Sequence, residues 1–334
     1  MSEAVLTLAI FQEATGWRLP DPHVDAIRAA AGAGVEVRTV GSRSELLETL
    51  PETTQLIGFP LTYDQFEQLG AKVQWVQATT ALGDSINSLL PAVQRGVRVS
   101  TAASIRGPQI AEHAIALTLA LLHRIDDAVL AQTEHRWAAA EIAPLMRSLH
   151  GSTVGILANG TLRDEIAQRV KALGVHVLAT TTKPEEVHIH IDEMIGLSRL
   201  EELTVRSDVL IIAAPRHPGS KPLIGKRELA RMGEQTIIID VSRGGVVDQR
   251  ALLDALRRQR IAGAGIDAFE TQPLPSASPL WTMPNVIITP SVAAASAHYW
   301  EHATEVICRN IRRFADGRVL LDELTPDWFD VAGR

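Results

Sequence analysis

The sequence predicts an α/β fold built from two parallel-sheet units. Three observations predict it. Short runs of β-branched and aliphatic residues alternate with helix-periodic segments along most of the 334 residues, the pattern of strands laid side by side with helices returning between them. A mostly helical stretch between Ser104 and the region of Pro144 interrupts the alternation, which then resumes. Thr236-Ile-Ile-Ile-Asp-Val-Ser-Arg-Gly-Gly-Val-Val-Asp248 carries four β-branched apolar residues in its first seven positions, as a strand buried on both faces requires.

Taken in order, residues 6–11 read as a strand, 24–31 as a helix and 35–40 as a second strand. Residues 44–50 read as a helix with Ser44 as its cap. Strands follow at 56–59 and 73–78, with 63–69 helical between them, and another at 97–101. This first unit ends near Ser104. Ser104-Ile-Arg-Gly-Pro108 opens a helix, with proline near the first turn, that runs to Arg124; residues 126–137 form the next. The second unit has strands at 153–157, 175–179, 209–213, 236–241, 262–266 and 286–288. Its helix at 162–173 presents Leu162, Ile166, Val170 and Leu173 on one face, and another spans 248–258. The last helix, 293–314, turns Trp300, Ala303, Val306, Ile307 and Ile311 inward. It would place His298 and His302 roughly 10 and 16 Å along the helix axis from Ser291.

Composition narrows the function. With 46% hydrophobic and 21% charged residues the balance is that of a globular protein, and the length suggests two domains. A net charge of −7 leaves no electrostatic footprint for nucleic acid. The single Cys308 excludes an internal disulfide and suits a reducing compartment. Met-Ser-Glu-Ala-Val at the start shows no basic segment leading into an apolar one, so no signal peptide and a cytoplasmic location are expected. The run 110–122 carries Glu112 and His113 and is too short to span a bilayer; it reads as a buried or subunit-interface helix. Neither a membrane partner nor a metal is expected.

Val154-Gly-Ile-Leu-Ala-Asn-Gly-Thr-Leu-Arg163 joins a strand to a helix, where a dinucleotide-binding loop would lie. Of the expected G-x-G-x-x-G only the central Gly160 is present. Ala158 stands at the first glycine and Arg163 at the third. A long side chain there must push the helix away or swing out toward the phosphates. An acid about 20 residues on would bind the ribose hydroxyls, but this region reads Ala179-Thr-Thr-Thr-Lys-Pro184. Either it is a solvated turn, or its hydroxyls and Lys183 receive a 2′-phosphate, which favours NADP over NAD.

The strand 236–241 ends at Ser242-Arg243-Gly244-Gly245. A fixed positive charge thus sits where ligands gather in an open parallel sheet. A surface arginine beside a turn is the plainer alternative. Asp267, an acid ending the buried run 261–266, needs partners and points to a site.

At this point the chain resembles the D-isomer-specific 2-hydroxyacid dehydrogenase family. Five segments carry the resemblance: Trp75-Val-Gln-Ala-Thr-Thr-Ala81; Ile110-Ala-Glu-His113 with the apolar helix after it; the loop from Val154 to Arg163; Ile237 to Asp248 with Leu252; and Gly263-Ala-Gly-Ile-Asp-Ala-Phe-Glu-Thr-Gln-Pro-Leu274 leading to Asn285-Val-Ile-Ile-Thr-Pro290. The resemblance implies a Rossmann-type cofactor domain, residues 104–291, inserted into a flavodoxin-like substrate domain of residues 1–103 and 292–334. It implies a homodimer formed through the helices after Ala-Glu-His, and an NAD(P)-dependent oxidoreductase acting on a 2-hydroxy or 2-keto acid, a small carboxylate.

Carried over by position, Ala158, Asn159, Gly160, Thr161 and Leu162 would hold the pyrophosphate, Thr181, Thr182 and Lys183 the ribose end, and Pro215 the adenosine side. Val241, Ser242 and Asp267 would lie near the nicotinamide. Thr80, Ala81, Leu82 and Gly83 correspond to the loop whose N–H groups hold the substrate carboxylate, with the glycine displaced by one position. Arg243 falls on the family's substrate-binding arginine. The other two catalytic positions are substituted: Gln272 stands for a glutamate and Ser291 for the acid–base histidine. Serine does not titrate near neutral pH and glutamine cannot raise a partner's basicity, although an amide and a hydroxyl can pair structurally. The alternative function is therefore a catalytically impaired relative that binds cofactor, a carboxylate metabolite or a protein partner.

Overall fold

A computed structural model describes residues 4–13, 15–58, 72–79, 90–181, 187–214 and 221–324. The chain divides into two units, residues 1–106 with 296–334 and residues 107–295. From sequence the boundaries fall at 103/104 and 291/292.

The first unit holds five parallel strands: β1 (Ala4–Ala9), β2 (Val35–Thr39), β3 (Gln55–Gly58), β4 (Trp75–Ala78) and β5 (Arg98–Ser100). They lie in the order β2-β1-β3-β4-β5, the doubly wound arrangement of flavodoxin-like sheets. Helix α1 (Asp21–Ala31) buries Val24 and Ile27 in a cluster that also takes Ile307 and Ile311 from the C-terminal helix. A second helix, α2 (Arg43–Thr49), is capped by Ser42 and not by Ser44: the Ser42 hydroxyl accepts from Glu45 N at 3.1 Å, and Ser44 already lies inside the first turn. The expected helix at 63–69 lies outside the described residues.

In the second unit the long helix α3 (Ala103–Leu122) leads in, followed by α4 (Ile125–Thr133). Seven strands follow: β6 (Thr153–Leu157), β7 (His176–Thr181), β8 (Glu193–Gly196), β9 (Val209–Ile212), β10 (Ile237–Asp240), β11 (Gly263–Ile266) and β12 (Val286–Ile288). All pairs are parallel, in the order β8-β7-β6-β9-β10-β11-β12. By chain rank this is 3-2-1-4-5-6-7, the Rossmann order with one strand added. Ile237 and Ile239 enter one core cluster and Ile238 the other. The β-branched run is thus explained by a sheet covered on both faces. β8 escaped the sequence reading because it is an edge strand with only Ile195 fully buried.

Helix α3 packs on β11 with matched spacing. A Cβ on Gly263 would come within 3.6 Å of Leu121, and one on Gly265 within 2.9 Å of Leu117. Four helical residues rise about 6 Å and two strand residues about 6.6 Å. The same step brings His113 to Asp267, just past the end of β11. Two glycines in the strand let the helix approach; their spacing sets the register.

The C-terminal helix α8, counted after α5 (Gly160–Lys171), α6 (Leu200–Arg206) and α7 (Gln249–Arg257), spans Tyr299–Ala315. It begins six residues later than expected. Ser291 takes a left-handed φ of +58°, and the Asp267 carboxylate accepts the N–H groups of Val292 and Ala293 at 2.9 Å each. These bonds hold the segment out of helical geometry, so His298 and His302 do not continue a helix from Ser291. In the first unit, Asn310 on α8 donates to Gln77 at 2.8 Å, and Gln77 also accepts from Ser100 at 2.7 Å. The buried amide–hydroxyl network ties the returning segment to the sheet.

Candidate functional site

Because β6, β9, β10, β11 and β12 are parallel, their carboxyl ends share one edge. The strand order reverses between β6 and β9, the position where open α/β sheets bind ligands. After β6 the chain runs through Ala158 and Asn159 into α5. Thr180 on β7 brackets the turn: its hydroxyl accepts from Ala158 N at 3.2 Å and donates to Ala158 O at 3.0 Å. Gly160 has φ +51° and open space where a Cβ would be. Asn159 makes no side-chain cap, and its Nδ2 is buried without a partner. An uncapped helix N-terminus beside a buried orphan amide fits the pyrophosphate of a dinucleotide.

Arg163 does not swing outward, the second course expected of it. Its side chain is buried, with Nε donating to Asp164 at 2.8 Å and Nη2 3.2 Å from His188 Nε2. Leu162 packs against the core below the loop. Thr181, the last residue of β7, is buried. Thr182, Lys183 and Pro215 lie outside the described residues, as do Thr80, Ala81, Leu82 and Gly83.

Arg243 follows β10 and is exposed, between buried Val241 and Ser242 on one side and Gly244 on the other. The turn is built around it. Ser242 N donates to Asp240 Oδ1 at 3.0 Å, and Gly244 N donates to the Ser242 hydroxyl at 3.2 Å. Gly244 has φ +86°, and a Cβ there would lie 2.1 Å from the Phe269 carbonyl. Only glycine permits that approach, which seats the Arg243 turn on the segment after Asp267. Asp240 itself is fully buried. Burial pushes its carboxyl up to about 6, the neighbouring Asp267 adds to the shift, and the bonds from Ser242 oppose it.

Asp267 is buried and accepts three hydrogen bonds: the Thr289 hydroxyl at 2.6 Å and Val292 N at 2.9 Å on Oδ1, and Ala293 N at 2.9 Å on Oδ2. His113 Nε2 lies 2.9 Å from Thr289 Oγ1 and 3.6 Å from Asp267 Oδ1. Sequence reasoning used the Ala-Glu-His segment for the fold and gave His113 no role. The legible signal was the i, i+4 spacing of His113, Leu117 and Leu121, one helix face set against the glycines of β11.

The two substituted positions are not joined. Gln272 and Ser291 are exposed, and no hydrogen bond links them among the described residues, so the amide–hydroxyl pairing open to them is not made. Ser291 N instead donates to Thr289 O at 3.0 Å. Nearby Glu270 is engaged locally: its carboxylate accepts from Gln249 N at 2.9 Å at the start of α7.

Residues 115–293, over half the chain, match the family model for the D-isomer specific 2-hydroxyacid dehydrogenase NAD binding domain. The chain belongs to this family. It is 31% identical over 311 residues to D-3-phosphoglycerate dehydrogenase of Mycobacterium tuberculosis, covering 91% of this chain but only 57% of that one. It is 32% identical over 252 residues to glyoxylate reductase of Thermococcus gammatolerans, covering 73% and 74% of the two chains. The crystal structure of a D-isomer specific 2-hydroxyacid dehydrogenase from Xanthobacter autotrophicus Py2 in complex with NADPH and MES superposes with a TM-score of 0.76 at 25% identity, covering 98% and 99%. The matched residues lie within the second unit, residues 107–295. Among the described residues no helix is long and apolar enough to cross a membrane.

Proposed function

We propose that the protein is an NAD(P)-dependent oxidoreductase of 2-hydroxy or 2-keto acids in which Arg243 anchors the substrate carboxylate and the family's own acid–base pair is missing. The observation that carries the reading is the Arg243 turn: an arginine presented at the carboxyl end of β10, on a turn that only glycine at 244 allows, next to the Asp267 segment. A guanidinium matches a carboxylate in two parallel hydrogen bonds and keeps its charge at any working pH. A bound nicotinamide supplies or accepts the hydride at the substrate carbon. The chain's residues bind and orient: Asn159 and the α5 N-terminus hold the pyrophosphate, and Asp267 faces the nicotinamide.

Proton transfer is the step in this reading that the substituted positions do not supply. Neither Ser291 nor Gln272 exchanges a proton near neutral pH, and general acid–base help contributes roughly 10²–10⁴ in rate. The substitution of both positions favours a second reading, a catalytically impaired relative that retains cofactor and carboxylate binding. NADP is preferred over NAD in this proposal, supported by Thr181 at the end of β7, where an acid would bind the 2′-hydroxyl. Pairing with a second copy is supported by Ile125, Val129 and Leu130 exposed on α4 and by Trp137 beyond it. A cytoplasmic setting suits the lone, unpaired Cys308.

The test is binding and turnover of NADH and NADPH with a panel of 2-keto acids, for the wild type and for Arg243→Ala. Carboxylate binding that disappears in Arg243→Ala, with cofactor affinity unchanged, is the expected result. Unchanged keto-acid affinity in that variant would remove the anchor, and tighter NADH than NADPH would reverse the cofactor preference.

A further inference from the structure

We infer that His113 is a positioning residue for the nicotinamide carboxamide, acting through Thr289 on Asp267. This rests on the proposed reading of Asp267 as the carboxylate that faces the nicotinamide. The direction of each hydrogen bond follows from the proton inventory. Thr289 has one hydroxyl proton and gives it to Asp267 Oδ1 at 2.6 Å. Its oxygen is then the acceptor in the 2.9 Å contact with His113 Nε2. His113 therefore carries its proton on Nε2, and Nδ1 holds the lone pair in the neutral ring. No side chain or backbone group among the described residues bonds Nδ1.

The consequence falls on the carboxylate. Oδ1 accepts two donors, Thr289 and Val292 N, and Oδ2 accepts one, Ala293 N. A carboxylate has about four acceptor directions, so one remains on Oδ2 for a ligand N–H, and a primary carboxamide supplies it. Without His113 the Thr289 hydroxyl is free to turn its proton away from Asp267, and the plane of the carboxylate is then held only by two backbone N–H groups. The imidazole is itself held: Leu117 and Leu121, on the same helix face, pack against β11 at Gly265 and Gly263. The outer groups on ligands of this kind fix orientation in the way that partners behind metal-ligating histidines do.

Affinity measurements on two ligands separate positioning from scaffolding. ADP-ribose and its 2′-phosphate contain everything in NAD(P)H except the nicotinamide. Calorimetric titration of the full chain with NADH, NADPH and these two fragments is compared for the wild type, His113→Leu and His113→Gln. The glutamine Nε2 can still donate to Thr289; leucine has no donor. In the wild type the dinucleotide binds tighter than its fragment. His113→Leu is expected to weaken the dinucleotide about tenfold, the scale of one hydrogen bond to a charged group, while the fragment stays within about twofold. His113→Gln is expected to recover most of the loss. Equal affinities of dinucleotide and fragment in the wild type would remove the Asp267 reading and the inference with it. A wild-type preference that survives His113→Leu, or fragment and dinucleotide weakening together, would overturn the role of His113 alone. Nitrogen NMR of the wild-type histidines checks the premise without any variant: His113 as the Nε2–H tautomer agrees with it, and the Nδ1–H tautomer overturns it.

Discussion

Leu117 lies against Gly265: a Cβ at position 265 would stand 2.9 Å from Leu117 Cβ and 3.1 Å from Ile239 Cδ1. One turn earlier on the same helix face, His113 reaches Thr289 and Asp267. The site at the end of β11 is therefore registered by a glycine in the middle of the strand.

Gly265→Ala tests that registration. The added methyl meets the stem of Leu117, which cannot swing away as a side-chain end could. Overpacking of this kind costs roughly 1–3 kcal/mol. Urea unfolding should show that loss together with weakened nicotinamide binding, because α3 must shift and take His113 with it. A variant as stable as the wild type would mean that the helix is held elsewhere.

Gly244→Ala should be harsher on function. A Cβ there meets the Phe269 carbonyl at 2.1 Å, and the residue sits at φ +86°. The turn must rebuild, and Arg243 with it. Steady-state kinetics should show KM for the keto acid rising about tenfold or more, the scale of one hydrogen bond to a charged group.

Asp240 gives a pH dependence with a definite sign. Its folded pKa, about 6, lies above the ordinary carboxylate value of 3.8. Its contribution to stability is fully present below pH 4 and is lost as pH rises through 6. The loss is on the order of 3 kcal/mol. Asp240→Asn removes the titrating group, so the difference in unfolding free energy between pH 4.5 and pH 7.5 should shrink relative to the wild type. An unchanged difference would mean that Asp240 is already charged at the lower pH.

Much of this was legible in the residues, and the parts that were not share a cause. Thr153–Leu157 and Val286–Ile288 were read to the residue, because each apolar run is bounded by polar or turn-forming neighbours. Arg243 and Asp267 were legible because a charge at the end of a buried strand must meet solvent, a partner or a ligand. Ser42 was missed as a cap in favour of Ser44, since both precede a plausible helix and only backbone geometry separates them. The late start of α8 was missed because the Asp267 bonds that delay it come from 25 and 26 residues away. His113 was missed for the same reason: its partner Thr289 is 176 residues distant. Local pattern reports on local structure, and the supporting bonds of this site are long-range.

The central claim is that Arg243 still anchors a carboxylate while the proton chemistry of Gln272 and Ser291 is gone. The backbone can accept the missing group: Ser291 already holds φ +58°, a conformation in which histidine is enriched several-fold. The most direct measurement is NAD(P)H oxidation against 2-keto acids by the wild type, by the double substitution Gln272→Glu with Ser291→His, and by each combined with Arg243→Ala. The account predicts slow wild-type turnover, a rise of roughly 10²–10⁴ in the double substitution, and loss of both on Arg243→Ala. Wild-type turnover near the ordinary enzyme scale of about 10 s⁻¹, with no gain from the double substitution, would contradict it.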